Sequence, residues 1–124
     1  MRAILNINKP KNFTSFDVIA KLRKILNIKR IGHAGTLDPL ATGVLPVFVG
    51  NATRLIQFVP KTKAYRVYAR LGVETNTYDA EGEIISQKIV NYDLENIKNI
   101  LSSFKGIQLQ TPPIYSAISV NGKR

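Results

Sequence analysis

Apolar and polar positions alternate from Ala3 to Asn8 (Ala3-Ile4-Leu5-Asn6-Ile7-Asn8), which predicts a first strand ended by Lys9-Pro10. Thr14-Ser15-Phe16-Asp17 then reads as a helix start. Thr14 is placed to cap, and Asp17 three residues on completes a capping box and suits the positive helix end. Phe16, Ile19, Leu22, Ile25 and Leu26 recur at helical spacing and are expected to face the core. The helix ends near Asn27-Ile28-Lys29-Arg30, where a glycine-rich loop begins. The run Gly43 to Gly50 is short and apolar, as a buried strand is, and Asn51 is expected to cap a helix over Ala52–Phe58.

Further along, Lys63 to Gly72 alternates basic with apolar or aromatic residues and predicts a strand with one wet face. A polar turn over Glu74–Gly82 leads to a strand at Ile84-Ile85. Asp93 caps a third helix with Leu94, Ile97, Ile100, Leu101 and Phe104 on its core side. Gly106–Gln110 and Tyr115–Val120 read as further strands, the last running into the turn Asn121-Gly122. About six strands and three helices in mixed order make an α+β domain: a mixed, largely antiparallel sheet with helices packed on it. The final turn has no return strand, so the chain is expected to be truncated. No repeat, linker or low-complexity segment divides it.

Composition narrows the function. Hydrophobic residues at 44% against 21% charged describe a globular chain with a core. With no cysteine and one histidine it offers neither a disulfide framework nor the usual zinc ligand sets, and no metal is expected. No apolar run reaches membrane-spanning length and the N-terminus lacks a signal pattern, so a cytoplasmic protein is expected. The net charge of +10 is uneven: residues 1–63 hold eleven Lys and Arg against two acids, Asp17 and Asp38, and the remainder seven against six. A basic half points to a polyanionic partner, with a merely basic soluble surface as the bland alternative.

Of the two acids, Asp17 has its place at a helix start. Asp38 stands in Gly32-His33-Ala34-Gly35-Thr36-Leu37-Asp38-Pro39-Leu40-Ala41-Thr42-Gly43, an anion in a cationic field, ionised and available as a nucleophile. The loop is not a P-loop, for no lysine follows the glycines, and no second carboxylate is near for glycosidase chemistry. A plain Asp-Pro turn is the competing reading.

The wider segment bears on that choice. His33 to Pro46, followed by Gly50-Asn51-Ala52-Thr53-Arg54, closely resembles the catalytic motif of the TruB family of tRNA pseudouridine synthases. Asn8-Lys9-Pro10 leading to Thr14-Ser15 is similar to the family's Lys-Pro-x-Gly-x-Thr-Ser opening, with Asn12 where the family has Gly. Asn enters the left-handed conformation more readily than most residues, so the turn is expected to survive. Lys63-x-Tyr65-Arg66-Val67, Leu71-Gly72 and Thr75-x-Thr77-x-Asp79-Ala80-x-Gly82 match a third block. Pro112-Pro113-x-Tyr115-Ser116-Ala117 with Gly122-Lys123-Arg124 matches a fourth.

The resemblance implies that residues 1–124 are the N-terminal portion of a pseudouridine synthase catalytic domain, an isomerase without cofactor or metal. Its implied substrate is the uridine at conventional position 55 in the T-loop of tRNA, converted to pseudouridine with Asp38 as nucleophile. Whether Asp38 attacks the ribose, attacks the base or assists an elimination stays open. The uridine must leave its stack to reach a recessed Asp38. Tyr65 aligns with the aromatic residue that supports it, and His33 with a residue that contacts the RNA. Lys9, Gly35, Thr36 and Arg54 shape the loop or touch RNA. The resemblance places the family's partner arginine and its small RNA-binding domain beyond Arg124, so no turnover is expected from this chain alone; the full-length form is expected to be monomeric. An RNA-binding module without turnover is the second reading. A guide-RNA-dependent relative is the third, although Leu40 to Pro46 looks like the stand-alone bacterial type.

Overall fold

The structure, a computed structural model, describes residues 1–111. The expected strand Tyr115–Val120, the Asn121-Gly122 turn and the block from Pro112 lie outside them. The chain divides into two compact units, one of them Met1–Tyr65 and the other starting at Arg66.

The first unit is built on a three-stranded antiparallel sheet, β1 (Arg2–Lys9), β2 (Ile31–His33) and β3 (Gly43–Gly50), with β3 central. β1 pairs along all of β3, from Arg2 opposite Gly50 to Lys9 opposite Gly43. β2 pairs only with Val47–Val49. That short register explains how a proline stands in the central strand. The Pro46 carbonyl accepts the Ala34 N–H (3.0 Å), so the missing Pro46 donor lies on the same side, where the β2 ladder has already ended at His33–Val47.

Leu45, Val47 and Val49 alternate along β3 and are fully buried. With Ile31, Leu37 and the helix residues Val18 and Ile19 they form the core, flanked by Ala3, Leu5 and Ile7 from the inward face of β1. Helix α1 (Ser15–Leu26) starts as its sequence predicts: the Thr14 side chain accepts from the Asp17 N–H (3.0 Å), and the Asp17 carboxylate accepts from the Thr14 N–H (2.8 Å). The Thr14 hydrogen bonds hold the Asp17 carboxyl below its usual range. A depressed carboxyl stabilises the fold above the ordinary carboxylate range and loses that contribution as pH falls through its folded value. Thr14→Ala is therefore expected to lower stability near neutral pH, and by less in acid, as read by denaturant melts at the two pH values.

The core face of α1 is rotated from the expected one. Val18 and Ile19 are buried, with Leu22 and Leu26 partly so, whereas Phe16 and Ile25 are exposed. Phe16 instead carries the Arg23 guanidinium 5.7 Å from its ring centre. After β3 the chain forms a 3-10 helix, Asn51–Phe58, rather than a helix capped by Asn51. Gly50 is the preceding residue and no side chain caps the start; the Asn51 amide oxygen lies 3.4 Å from the Arg30 guanidinium.

In the second unit β4 (Val73–Thr75) and β5 (Ile84–Gln87) form an antiparallel hairpin, so Glu74 and Thr75 are strand and the polar turn begins at Asn76. That turn is tied by the Asp79 carboxylate, which accepts from the Thr77 hydroxyl (2.6 Å) and the Glu81 N–H (2.9 Å) and is held below its usual range by them. Helix α2 (Leu94–Ser103) is capped by Asp93 as expected. Its apolar side is not buried among the described residues: Leu94, Ile100, Leu101 and Phe104 are exposed.

Two further expectations are corrected. Neither Lys63–Gly72 nor Gly106–Gln110 forms a strand, and the residues from Lys63 to Leu71 are exposed. An alternating pattern becomes a strand only when a neighbour takes its backbone hydrogen bonds, and none does so among the described residues.

Candidate functional site

The loop between β2 and β3 is held at both sides of Asp38. On one side Leu37 is buried, and the Ser15 hydroxyl at the start of α1 accepts from the Leu37 N–H (2.9 Å) and donates to the Leu37 carbonyl (3.3 Å). Ser15 is itself 2% exposed, so one hydroxyl substitutes for a strand partner in the core. On the other side the Pro39 carbonyl accepts from the Asn12 N–H (2.9 Å) and from the Lys9 ammonium (3.1 Å). The Asp38 carbonyl then accepts from the Ala41 N–H (3.1 Å), closing the turn. With both neighbours fixed, Asp38 is presented to solvent. It is exposed rather than recessed, because Leu37 and not Asp38 supplies the buried side chain of this turn.

Lys9 lies beneath the loop. It is fully buried at the end of β1, and its ammonium donates to the carbonyls of Phe13 (2.6 Å), Pro10 (3.0 Å) and Pro39 (3.1 Å). Three carbonyls satisfy all three donors of an ammonium, which is how a lysine is accommodated in a core without an acid. Lys9 thus ties the turn after β1 to the Asp38 loop. Asn12, at the turn, has φ of 63°, the left-handed conformation its departure from glycine requires.

His33 ends β2 half-buried, with Nδ1 3.0 Å from the Gly35 carbonyl. Gly35 has φ of +89°, and a Cβ there would lie 2.8 Å from Lys63 Cε and 2.9 Å from Lys63 Nζ. The backbone conformation calls for glycine, whereas the flexible end of the Lys63 side chain could move aside for a Cβ. Thr36 is exposed.

Beside this loop opens a cleft of about 790 Å³, lined among others by Gly35, Leu37, Thr42, Lys61, Lys63 and Tyr65. Of the residues singled out in the sequence, Gly35 and Tyr65 line this cleft; Asp38 does not, though its neighbour Leu37 does, and neither do Lys9, His33 and Thr36. Arg54 is not brought there: it lines a separate groove with Arg2, Ile4, Asn51 and Leu55. Among the described residues no cluster of three or more His, Cys, Asp or Glu is placed to hold a metal ion. No helix among them is long and apolar enough to cross a membrane. Sequence reasoning missed Ser15 and Lys63. Ser15 stood in the quoted Thr14-Ser15 pair, but its bond to Leu37 spans 22 positions and leaves no local signal.

Residues 23–124 match the family model described as TruB family pseudouridylate synthase, N-terminal domain. Two curated relatives are named tRNA pseudouridine synthase B. The protein from Trichormus variabilis is 55% identical over all of this chain, which covers 43% of the relative. The one from Clostridium novyi is 50% identical, again over all of this chain and 43% of the relative. The chain therefore spans less than half the length of these relatives. Among solved structures, a Cbf5-Nop10-Gar1 complex contains a chain similar to 94% of this one over 30% of its own length, with 29% identity and a TM-score of 0.63. By the family match over most of its length, this chain belongs to the TruB family of pseudouridylate synthases.

Proposed function

We propose that this chain is the N-terminal portion of the catalytic domain of a tRNA pseudouridine synthase, and that it supplies the nucleophile, Asp38. The substrate is the uridine at position 55 in the T-loop of tRNA, as the 50–55% identity to proteins named tRNA pseudouridine synthase B supports. The reaction is an isomerisation. The bond from ribose C1′ to N1 of the base breaks, the base turns, and C1′ joins C5. N1 gains a proton and the C5 hydrogen passes to water. The protein works without a cofactor, in the cytoplasm and as a monomer, on the T-arm of tRNA.

One observation carries this reading. The turn that presents Asp38 is fixed on both sides by Ser15 and Lys9, next to a cleft that contains an aromatic ring, Tyr65, and two cations, Lys61 and Lys63. A flipped base needs a flat apolar support and its phosphates need cations. His33, hydrogen-bonded at the Gly35 carbonyl, sits at the base of the same loop and suits contact with the RNA strand. Thr36, exposed next to Leu37, suits a similar contact, and Arg54 serves the RNA from its separate groove rather than at the cleft.

Because the chain spans 43% of the Trichormus variabilis relative, function is tested on a graft of this chain onto the remaining part of that protein. Tyr65→Phe keeps the ring and Tyr65→Leu removes it. Binding of an RNA carrying a flipped-base uridine analogue is expected to weaken for the leucine variant by about 1–3 kcal/mol and to change little for phenylalanine. Equal affinity of wild type and Tyr65→Leu in equilibrium titration contradicts the stacking role.

A further inference from the structure

We propose that Lys63 is a phosphate-binding residue of the cleft beside the Asp38 loop, holding the backbone of the same nucleotide whose base stands on Tyr65. The inference rests on the RNA-binding reading above and deepens it. Lys63 carries no role in the sequence motif beyond opening the block that contains Tyr65. Lys61 lines the same cleft, and what sets Lys63 apart from it is the approach of its side-chain end to Gly35. A methyl group on Gly35 would meet both Lys63 Cε (2.8 Å) and Lys63 Nζ (2.9 Å). The whole end of the side chain therefore lies across the loop backbone three residues before Asp38, in the wall of the cleft.

A cation laid into a cleft calls for an anion. The unit Met1–Tyr65 has two acids, and Asp17 is engaged with Thr14 in the capping box of α1. Asp38 is the reacting group in the proposed chemistry. An external anion thus answers the charge best, and in a cleft whose neighbour is an aromatic ring that anion is a nucleotide phosphate. Lysine suits the task as a compact point charge on a flexible stem, and arginine can replace it.

The test is equilibrium binding of the graft onto the Trichormus variabilis relative to an RNA hairpin of T-arm sequence over a series of salt concentrations. Lys63→Gln is expected to flatten the plot of log K against log salt by about 0.7–0.9, the share of one phosphate contact, and Lys63→Arg to restore the slope. A generic surface lysine could flatten the slope as well, so a double-mutant cycle supplies the specific readout. Lys63→Gln and Tyr65→Leu should couple by about twofold or more, since phosphate and base belong to one nucleotide, whereas Lys24→Gln on the exposed side of α1 should act independently of Tyr65→Leu. An unchanged slope for Lys63→Gln, or coupling no greater than that of Lys24, overturns the assignment while leaving the RNA-binding reading intact. A wild-type graft with no salt-dependent affinity for the hairpin overturns both.

Discussion

Asp38→Asn, made in the graft onto the Trichormus variabilis relative, is expected to abolish pseudouridine formation while RNA affinity stays within a few-fold of wild type. The substitution preserves the shape of the side chain and its place between Leu37 and Pro39, both of which are held through their own backbone groups. What it removes is the anion, and an amide is no substitute for a carboxylate nucleophile. Single-turnover assays and binding titrations on the same preparations separate the two effects. Turnover near the wild-type rate contradicts the role of Asp38. A joint collapse of binding and turnover would instead assign it to holding the loop in shape.

The second large effect is structural. Lys9→Met keeps most of the buried volume of the side chain and deletes the ammonium that serves Pro10, Phe13 and Pro39. The Pro39 carbonyl keeps its Asn12 donor, so the main losses are the donors to Phe13 and Pro10, and a destabilisation of roughly 1–3 kcal/mol is expected from urea melts. That is a large share of the stability of an ordinary domain. Under conditions where the variant is still folded, activity of the graft should also fall, since Pro39 is the residue after Asp38 and loses one of its two anchors. A change below about 1 kcal/mol contradicts the view that Lys9 pins the loop.

The parts of the fold that could be read from the chain are those with local causes. Thr14 and Asp17 make their capping box within four residues, and the run Gly43–Gly50 becomes β3 with the bounds its glycines mark. β2 escaped notice because Ile31–His33 has a glycine at its centre and too few residues for alternation to register; its strand character comes from Val47–Val49 opposite. The segment Lys63–Gly72 shows the reverse case. It has a good strand pattern, yet no partner among the described residues makes it one. Helix α2 was legible from Asp93 and its spacing, but spacing names an apolar face without naming what covers it.

The candidate site divides in the same way. Asp38 was visible because so few acids share its basic surroundings, and Lys9 because Asn8-Lys9-Pro10 resembles the opening motif of the TruB family. The anchor at Ser15 and the approach of Lys63 to Gly35 arise when segments 22 and 28 positions apart fold together, as do the contacts that leave Asp38 exposed. Such contacts follow from topology rather than from local pattern.

Release of tritium from tRNA labelled at C5 of uridine, with the modified position then mapped, tests the central claim most directly. The account predicts release by the graft of one tritium per tRNA, accompanied by a pseudouridine at the T-loop uridine, and none by the Asp38→Asn variant. Tight tRNA binding with no release, or release at a uridine outside the T-loop, contradicts it.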